Sequence, residues 1–219
     1  MSKPTLKDIC TQTRRDILRM ITAVNSGHPG GALGCTEFMV ALYHKIMEHT
    51  PRPWDPEGRD QDIFFLSNGH LSSVWYSVLA RCGYFPVSEL ATFRHINSRL
   101  QGHPTCHQGL EGVRMASGSL GQGLSVAIGA ALTKKLNGDK HLVYTLMGDG
   151  NNIDQVIFAL EKAKALSGKG KPVVVIMKSM MGNGVDFMMH THKWHGKAPS
   201  QEQLEVALAQ NPETILGDY

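Results

Sequence analysis

The sequence lacks the features that mark several classes of protein. Its four cysteines include no Cys-x-x-Cys pair and suggest no disulfide framework, so reduced thiols in a cytoplasmic protein are expected. No run of five or six like charges occurs and the formal net charge is only +3, which argues against a nucleic-acid-binding arm and a polybasic membrane patch. The longest uncharged stretch, residues 115–133, is too rich in serine and glycine to span a membrane, and the N-terminal residues carry no apolar signal core.

The sequence nevertheless has enough apolar residues to build one substantial core. It contains 219 residues, of which 42% are hydrophobic and 19% charged, so widespread disorder is not expected. Apolar runs predict buried strands at residues 63–66, 142–147 and 173–177, and a helical pattern at 153–166 lies between the last two. Strand, helix and strand in this order predict a βαβ unit, and therefore a parallel sheet flanked by helices. We expect residues 1–219 to form a single domain of the α/β class.

Most of the remaining chain has a helical pattern. Apolar spacing predicts helices at residues 5–24, 35–48, 71–81 and 122–136. Ser88 is a candidate cap for a further short helix. Ser200-x-x-Gln203 is typical of a capping box at the start of a last helix.

Asp149 stands between two glycines directly after the strand predicted at 142–147. In α/β sheets, ligands bind outside the carboxyl ends of the strands. Gly148 and Gly150 let a large anion approach the backbone, and the N–H groups that open a following helix can bind phosphate. One carboxylate at such a place suits Mg²⁺, which proteins hold with one or two carboxylates and phosphate oxygens. A tight turn with a helix-capping aspartate explains the same residues, so the tripeptide alone leaves both interpretations open.

Four histidines, His28, His70, His103 and His195, each neighbour a glycine. His28 and His70 fall at junctions between predicted elements, and the tripeptide Gly-His-Pro surrounds both His28 and His103. Imidazoles at such junctions can donate, accept or transfer protons to a hydroxylated substrate near neutral pH. Solvated or turn-capping histidines would give the same pattern, so this interpretation needs the other motifs beside it.

Taken together, these segments resemble transketolase, specifically the N-terminal, diphosphate-binding half of that family. The matching segments occur in family order and cover almost the whole chain. They are Ser26-Gly27-His28-Pro29-Gly30, Leu66-Ser67-Asn68-Gly69-His70, Gly102-His103-Pro104, Gly118-Ser119-Leu120-Gly121-Gln122-Gly123, Gly148-Asp149-Gly150 and Thr191-His192-Lys193-Trp194-His195-Gly196. The resemblance implies the thiamine-diphosphate-binding fold and transfer of a two-carbon ketol group from a ketose phosphate to an aldose phosphate, as in the pentose phosphate pathway.

The resemblance also implies the cofactors and the residues that hold them. Thiamine diphosphate supplies the carbanion chemistry, and the protein supplies position and proton transfer. By motif position, Asp149 would bind Mg²⁺, or another divalent cation such as Ca²⁺ or Mn²⁺, and Gly150 would bind the diphosphate. Gly118, Ser119 and Leu120 would line the cofactor through backbone groups.

The histidines take their expected roles from the same motif positions. His70 and His195 would lie against the diphosphate side and the reacting carbon of the cofactor. His28, His103 and His195 would hydrogen-bond and protonate substrate oxygens.

The resemblance is closest to the split form of the family, in which separate subunits supply the two halves. The chain ends at Tyr219 without a pyrimidine-binding domain. We therefore expect the partner to be a C-terminal transketolase subunit, in a heterotetramer with two copies of each chain, and no turnover without it. Sugar phosphates are the expected substrates, and neither nucleic acid nor a membrane is an expected partner.

One departure from the family pattern lies directly after Gly150. The family has an acidic helix, a strand and a metal-binding asparagine there, whereas in this chain Asn151 and Asn152 follow at once. From Ile153 onward the sequence resembles a much later family segment. We therefore expect that a segment is missing between residues 150 and 151, together with the second metal ligand. Either the chain has lost it or the sequence omits it; we expect omission, because excising a crossover from the middle of a sheet should destroy the fold.

Two alternatives stay open beside an N-terminal transketolase subunit. One is a related thiamine-diphosphate enzyme of the 1-deoxyxylulose-5-phosphate synthase type, which the Gly-His-Pro-Gly loop at His28 disfavours. The other is a non-catalytic paralogue that binds a partner without turnover, which the missing second metal ligand favours.

Overall fold

The sheet confirms the predicted fold class. A computed structural model of the chain describes residues 3–148, 153–177 and 180–219, apart from the side chains of residues 153 and 154. Strand β1 (Ile63–Leu66) pairs in parallel with strand β2 (Val143–Leu146), and β1 is buried along its whole length. The protein is therefore an α/β protein with a parallel sheet flanked by helices.

Helices are the main regular secondary structure of the described residues. They are α1 (Leu6–Ala23), α2 (Pro29–Gly34), α3 (Thr36–Ala41), α4 (Ser72–Arg81), α5 (Gln122–Leu136), α6 (Ile153–Leu166) and α7 (Gln201–Gln210). A π-helical turn lies at Leu42–Ile46, and short 3-10 segments lie at Gly69–Leu71, Val87–Thr92, Cys106–Gln108, Asp186–Met188 and His192–Trp194. The helices predicted at 5–24, 122–136 and 153–166 are confirmed as α1, α5 and α6.

The predictions for the shorter helices hold in part. The helix expected at 35–48 divides into α3 and the π-helical turn, which ends at Ile46. Ser88 does not cap a helix. It lies inside the 3-10 segment Val87–Thr92, which begins directly after Pro86. Ser200 does cap α7: its hydroxyl accepts from the Gln203 N–H, and the Gln203 side chain accepts from the Ser200 N–H.

The prediction of a strand at residues 173–177 is wrong. These residues form no strand, and Val174 and Ile176 are 72% and 94% exposed. An extended segment becomes a strand only when a neighbour takes up its backbone hydrogen bonds. Within the described residues, the sheet consists of β1 and β2 alone. The βαβ unit expected around α6 is therefore not formed, although the parallel pairing inferred from it is present.

Helix α1 packs against four other helices, namely α2, α3, α4 and α7. It packs along α4, and the carboxylate of Asp16 pairs with the Arg81 guanidinium at 2.8 Å. The Ser77 hydroxyl donates a further hydrogen bond of 2.7 Å to Asp16. Both charged side chains are almost fully buried, and buried charges of this kind need such partners. The interaction fixes α1, and with it the loop that precedes α2.

Helix α5 presents an unusually apolar face to solvent. Leu124, Ile128, Leu132 and Leu136 follow one another at four-residue spacing and are 39%, 52%, 55% and 86% exposed. Residues at this spacing share one helix face. Contiguous exposed apolar surface of this kind is typical of interaction sites. No helix among the described residues is long and apolar enough to cross a membrane.

Candidate functional site

Three of the predicted histidines meet beside the carboxyl end of β1. The ring centroid of His28 lies 5.0 Å from that of His70 and 5.5 Å from that of His195. The rings of His70 and His195 are 5.5 Å apart. The three residues come from distant parts of the sequence, so the fold creates this histidine cluster (His28, His70 and His195).

Local backbone requirements place His28 in the cluster. Gly27, the residue before it, has φ +150, and a Cβ there would lie 2.7 Å from Ile21 Cγ1, so glycine is needed on both counts. Pro29 occupies the first position of α2, where its fixed φ suits a helix start. The His28 ring itself lies against Gly196, with 3.6 Å between a Cβ built on that glycine and ring atoms of His28.

Electrostatics keep His28 uncharged. Burial, with smaller contributions from the neighbouring His70 and His195, lowers the pKa of His28 to about 4. A neutral imidazole has one nitrogen that donates and one that accepts a hydrogen bond. The buried Nδ1 of His28 has no hydrogen-bond partner among the described residues. His28 is therefore suited to form a hydrogen bond with a ligand at neutral pH.

His103 lies next to this cluster, at the loop that carries Gly118. A Cβ built on Gly118 would lie 3.3 Å from Cδ2 of His103. Burial and the charge of Arg94 lower the pKa of His103. The fold thus brings the second Gly-His-Pro tripeptide to the same region as the first.

Sequence reasoning missed Arg94. Its Nη1 donates to Ser26 Oγ at 2.8 Å, while its Nε is buried without a partner among the described residues. Its charge acts on both His28 and His103. A partly buried cation beside neutral histidines offers a place for an anionic or hydroxylated ligand. Nothing in the spacing of the sequence marks this arginine, because its neighbours are brought to it by the fold.

The predicted cofactor loop, Gly118 to Leu120, lies exposed at the start of α5. The N–H of Gly121 donates to Ser67 Oγ at 3.1 Å, which ties this loop to the residue after β1. A Cβ on Gly123 would lie 2.6 Å from Cα of Ser67, so α5 approaches the strand end closely. The loop therefore joins the carboxyl end of the sheet to a helix N-terminus, an arrangement that binds anions.

The residues at this edge fit a polar ligand such as a diphosphate cofactor. Asn68 is 2% exposed, yet its Nδ2 and Oδ1 both lack a hydrogen-bond partner within the described part of the chain. The buried Ser117 Oγ also lacks one. Buried polar groups are normally satisfied, so these atoms indicate a missing binding partner. A Cβ on Gly69 would lie 2.5 Å from Ser117 Oγ and 2.9 Å from the Gly118 nitrogen. Any larger residue at position 69 would therefore fill the space beside these polar atoms.

Asp149 and Gly150 lie outside the described residues, as do Asn151 and Asn152. The carbonyl of the preceding Gly148 accepts a hydrogen bond from Cys35 Sγ at 3.4 Å. Because β1 and β2 are parallel, Met147 and Gly148, which follow β2, lie at the same edge of the sheet as Asn68 and His70. The predicted cation site at Asp149 stays a prediction.

One other group of described residues has ligand atoms close enough for a metal ion, namely Asp60, Asp139 and His141. The group lies before β1 and β2, at the opposite edge of the sheet from the histidine cluster. The Lys134 ammonium lies 2.5 Å from Asp139 Oδ2 and neutralises that carboxylate. Asp139 is therefore already paired with Lys134 and His141, and we assign no cation site to this group.

Comparison with known proteins shows which family the chain matches. The family model described as "Transketolase, thiamine diphosphate binding domain" matches residues 7–150. The chain is 28% identical to one subunit of the apulose-4-phosphate transketolase from Actinobacillus succinogenes over 256 residues, covering 88% of this chain and 92% of that protein. It is 31% identical to transketolase 2 of Escherichia coli over 199 residues, covering 86% of this chain and 29% of that protein.

The structures of known proteins agree with the sequences. Transketolase from Leishmania mexicana matches with a TM-score of 0.82 at 22% identity, covering 96% of this chain and 42% of that chain. This likeness shows a shared fold. The chain thus spans less than half of these longer transketolases but nearly all of the Actinobacillus protein.

Proposed function

This chain belongs to the transketolase family, through its thiamine-diphosphate-binding domain, and on that premise we propose that it is the N-terminal subunit of a two-component transketolase. The enzyme transfers a two-carbon ketol group from a ketose phosphate to an aldose phosphate, in the cytoplasm. The observation that supports this most is the convergence of His28, His70 and His195 beside the cofactor loop. None of the three is near another in sequence, and all three lie in segments that resemble the family.

Thiamine diphosphate is the proposed cofactor, and it supplies the carbanion chemistry when bound. The backbone of Gly118, Ser119 and Leu120 lines it, and Gly150 binds its diphosphate. Asp149 binds the divalent cation, Mg²⁺ or an equivalent such as Ca²⁺ or Mn²⁺. The unsatisfied amide of Asn68 and the close approach at Gly69, described above, support a polar ligand at this place.

The histidines orient the ligands and move protons. His70 and His195 lie against the cofactor, on its diphosphate side and near its reacting carbon. His28, His103 and His195 hydrogen-bond substrate oxygens and transfer protons to them. The low pKa of His28, about 4, supports its hydrogen-bonding role, because a neutral imidazole offers one donor and one acceptor nitrogen.

A C-terminal transketolase subunit is the proposed partner, in a heterotetramer of two copies of each chain. The apolar face of α5 supports an interface, because it begins next to the cofactor loop at the exposed Leu120 and continues through Leu136. The Actinobacillus protein is named as one subunit of its transketolase, which supports a division of the enzyme between chains.

We further propose that a family segment is missing after Gly150. The match to the Actinobacillus protein runs over 256 positions but takes in 88% of 219 residues, about 193, so about 63 positions have no counterpart in this chain. The family-model match ends at residue 150, which is where the sequence departs from the family pattern. The same observation favours the second candidate function, a non-catalytic paralogue, if the protein truly lacks the segment.

Reconstitution tests the proposal. The chain alone, with thiamine diphosphate and Mg²⁺, should not convert a ketose phosphate and an aldose phosphate, and adding a C-terminal subunit should start turnover. A robust rate from the chain alone would contradict the need for a partner. An inactive complex that still binds the cofactor would favour the non-catalytic paralogue, and a deoxyketose phosphate product would indicate the related synthase.

A further inference from the structure

The loop that leads to His195 is anchored by a buried ion pair. Arg14 of α1 and Glu37 of α3 are 8% and 7% exposed, and the Arg14 Nη2 pairs with Glu37 Oε1. The Arg14 Nε donates to the carbonyl of Asn183 at 3.0 Å, and the Asn183 Nδ2 donates to Glu37 Oε1 at 3.2 Å. We call Arg14, Glu37 and Asn183 the anchoring cluster.

Gly184 brings the backbone of this loop directly onto Arg14. It has φ +90, which favours glycine, and a Cβ there would lie 2.6 Å from the Arg14 Nε. Its carbonyl accepts a hydrogen bond of 2.9 Å from the Asn211 side chain. The backbone at residues 183–184 is therefore fixed from two sides.

The same loop is fitted to α2 at both of its ends. The Gly182 N–H donates to the Gly30 carbonyl at 2.8 Å. At the other end, a Cβ on Gly30 would lie 2.9 Å from the carbonyl oxygen of Trp194. The indole N–H of Trp194 in turn donates to the Phe187 carbonyl at 2.9 Å. Gly30 thus lies against both Gly182 and Trp194, the neighbour of His195, and we expect a shift at residue 182 to reach Trp194 through it.

We propose that Arg14, Glu37 and Asn183 are positioning residues that hold His195 against His28. The roles of the two histidines rest on the proposed function, whereas their placement is given by the structure itself. A buried ion pair adds little stability over well-packed apolar residues, so stability alone gives no reason for one here. The planar guanidinium does fix direction, since its nitrogens meet the Glu37 carboxylate and the Asn183 carbonyl at set angles.

The pKa of His28 depends on whether His195 lies against it, and it can be measured without an assay of enzymatic activity. Its environment is set by burial and by the facing groups His70, His195, Arg94 and His103, which together lower its pKa to about 4. Release of His195 opens the cluster to water and removes one of these neighbours. The pKa of His28 should then rise toward its ordinary value.

The chain offers a matched pair of substitutions for the test. Gly184→Ala introduces a Cβ against Arg14, whereas Gly83→Ala introduces one at φ +87 with nothing within 4 Å. Both variants carry the same backbone strain, and only the first disturbs the anchoring cluster. Asn183→Ala, which removes only the hydrogen bond to Glu37, serves as a second variant.

The experiment follows the histidine rings of the full chain by NMR from pH 3.5 to 8, with His28→Gln to assign the His28 signal and circular dichroism to verify folding. Gly184→Ala and Asn183→Ala should raise the pKa of His28 by about one unit, and Gly83→Ala should leave it unchanged. If Gly184→Ala does not fold, Asn183→Ala decides the outcome alone. An unchanged pKa in a folded Asn183→Ala variant, an equal rise in Gly83→Ala, or a wild-type pKa near 6.5 would overturn the proposal. These pKa measurements need no enzymatic turnover. They therefore test the positioning residues independently of the reconstitution experiment, which tests the proposed function.

Discussion

Two glycines of helix α5 should respond differently to replacement by alanine: one variant should lose stability against unfolding and the other should gain it. Gly123 faces the end of β1, where an added Cβ would lie 2.6 Å from both Cα and Cβ of Ser67. Gly129, in the middle of the same helix, has nothing within 4 Å of an added Cβ. Gly123→Ala and Gly129→Ala both gain helix propensity, although Gly123 lies in the first turn of α5, and the two variants differ in packing.

The expected magnitudes follow from these contacts. Replacing glycine by alanine inside a helix stabilises the fold by up to about 1 kcal/mol, which is the whole effect expected at Gly129. At Gly123 the carbon atoms must separate by about 1 Å to reach normal contact distance, and overpacking of this kind costs about 1–3 kcal/mol. We therefore expect Gly123→Ala to be about 1 kcal/mol less stable than wild type and about 2 kcal/mol less stable than Gly129→Ala.

Urea unfolding followed by tryptophan fluorescence measures both free energies of unfolding. Gly123→Ala should also weaken thiamine diphosphate binding, since Ser67 accepts the hydrogen bond from Gly121 that holds the cofactor loop. Equal stabilisation in the two variants would refute the close approach of α5 to β1. Loss of stability with unchanged cofactor affinity would separate the packing of α5 from the proposed cofactor site.

Three further predictions concern the histidines and the chain itself. His28→Ala and His195→Ala should each lower kcat by about 10²–10⁴-fold in the reconstituted enzyme, with little change in a thermal melt; unchanged kcat in both would return them to a structural role. Burial lowers the pKa of His44 to about 4 in the folded protein, whereas its pKa in the unfolded chain is near 6.5. Between these two pH values the unfolded chain therefore binds a proton at His44 that the folded protein does not. His44 then contributes about 2 kcal/mol of stability above pH 6.5, after allowance for partial exposure, and this contribution is lost as the pH falls to 4. Urea titrations at each pH should show a smaller loss of stability in His44→Gln, whereas the contribution of His28, whose pKa is also about 4, should remain. Intact-mass spectrometry should give a protein several kilodaltons above 24.0 kDa if the segment after Gly150 exists, whereas a mass equal to 219 residues would establish a deletion.

Local sequence signals predicted the elements that depend on local chemistry. The periodicity of α1 and α5 and the capping box at Ser200 all formed as expected, because helix hydrogen bonds and caps are made within a few residues. Strand β1 was predicted from four consecutive apolar residues that are all buried. The strand at 173–177 failed because a strand depends on a neighbour that its own sequence does not contain.

The candidate site was predicted in composition but not in arrangement. Family motifs named His28, His70 and His195, and the structure brings their rings within 5.5 Å of one another. Arg94 and the unsatisfied Asn68 were not predicted as site residues, because burial and missing partners exist only in three dimensions. The roles assigned to all these residues stay predictions until they are measured.

Binding of the cofactor tests the central claim most directly. Thiamine diphosphate, in excess Mg²⁺, is titrated calorimetrically into the chain together with a C-terminal subunit, using wild type, His70→Ala and His141→Ala. His141 pairs with Asp139 at the opposite edge of the sheet and serves as the matched control. We expect one cofactor bound per chain, with affinity reduced about tenfold or more by His70→Ala and unchanged by His141→Ala. Absence of binding to the wild-type complex, or equal affinity in all three, would contradict a thiamine diphosphate site at the histidine cluster.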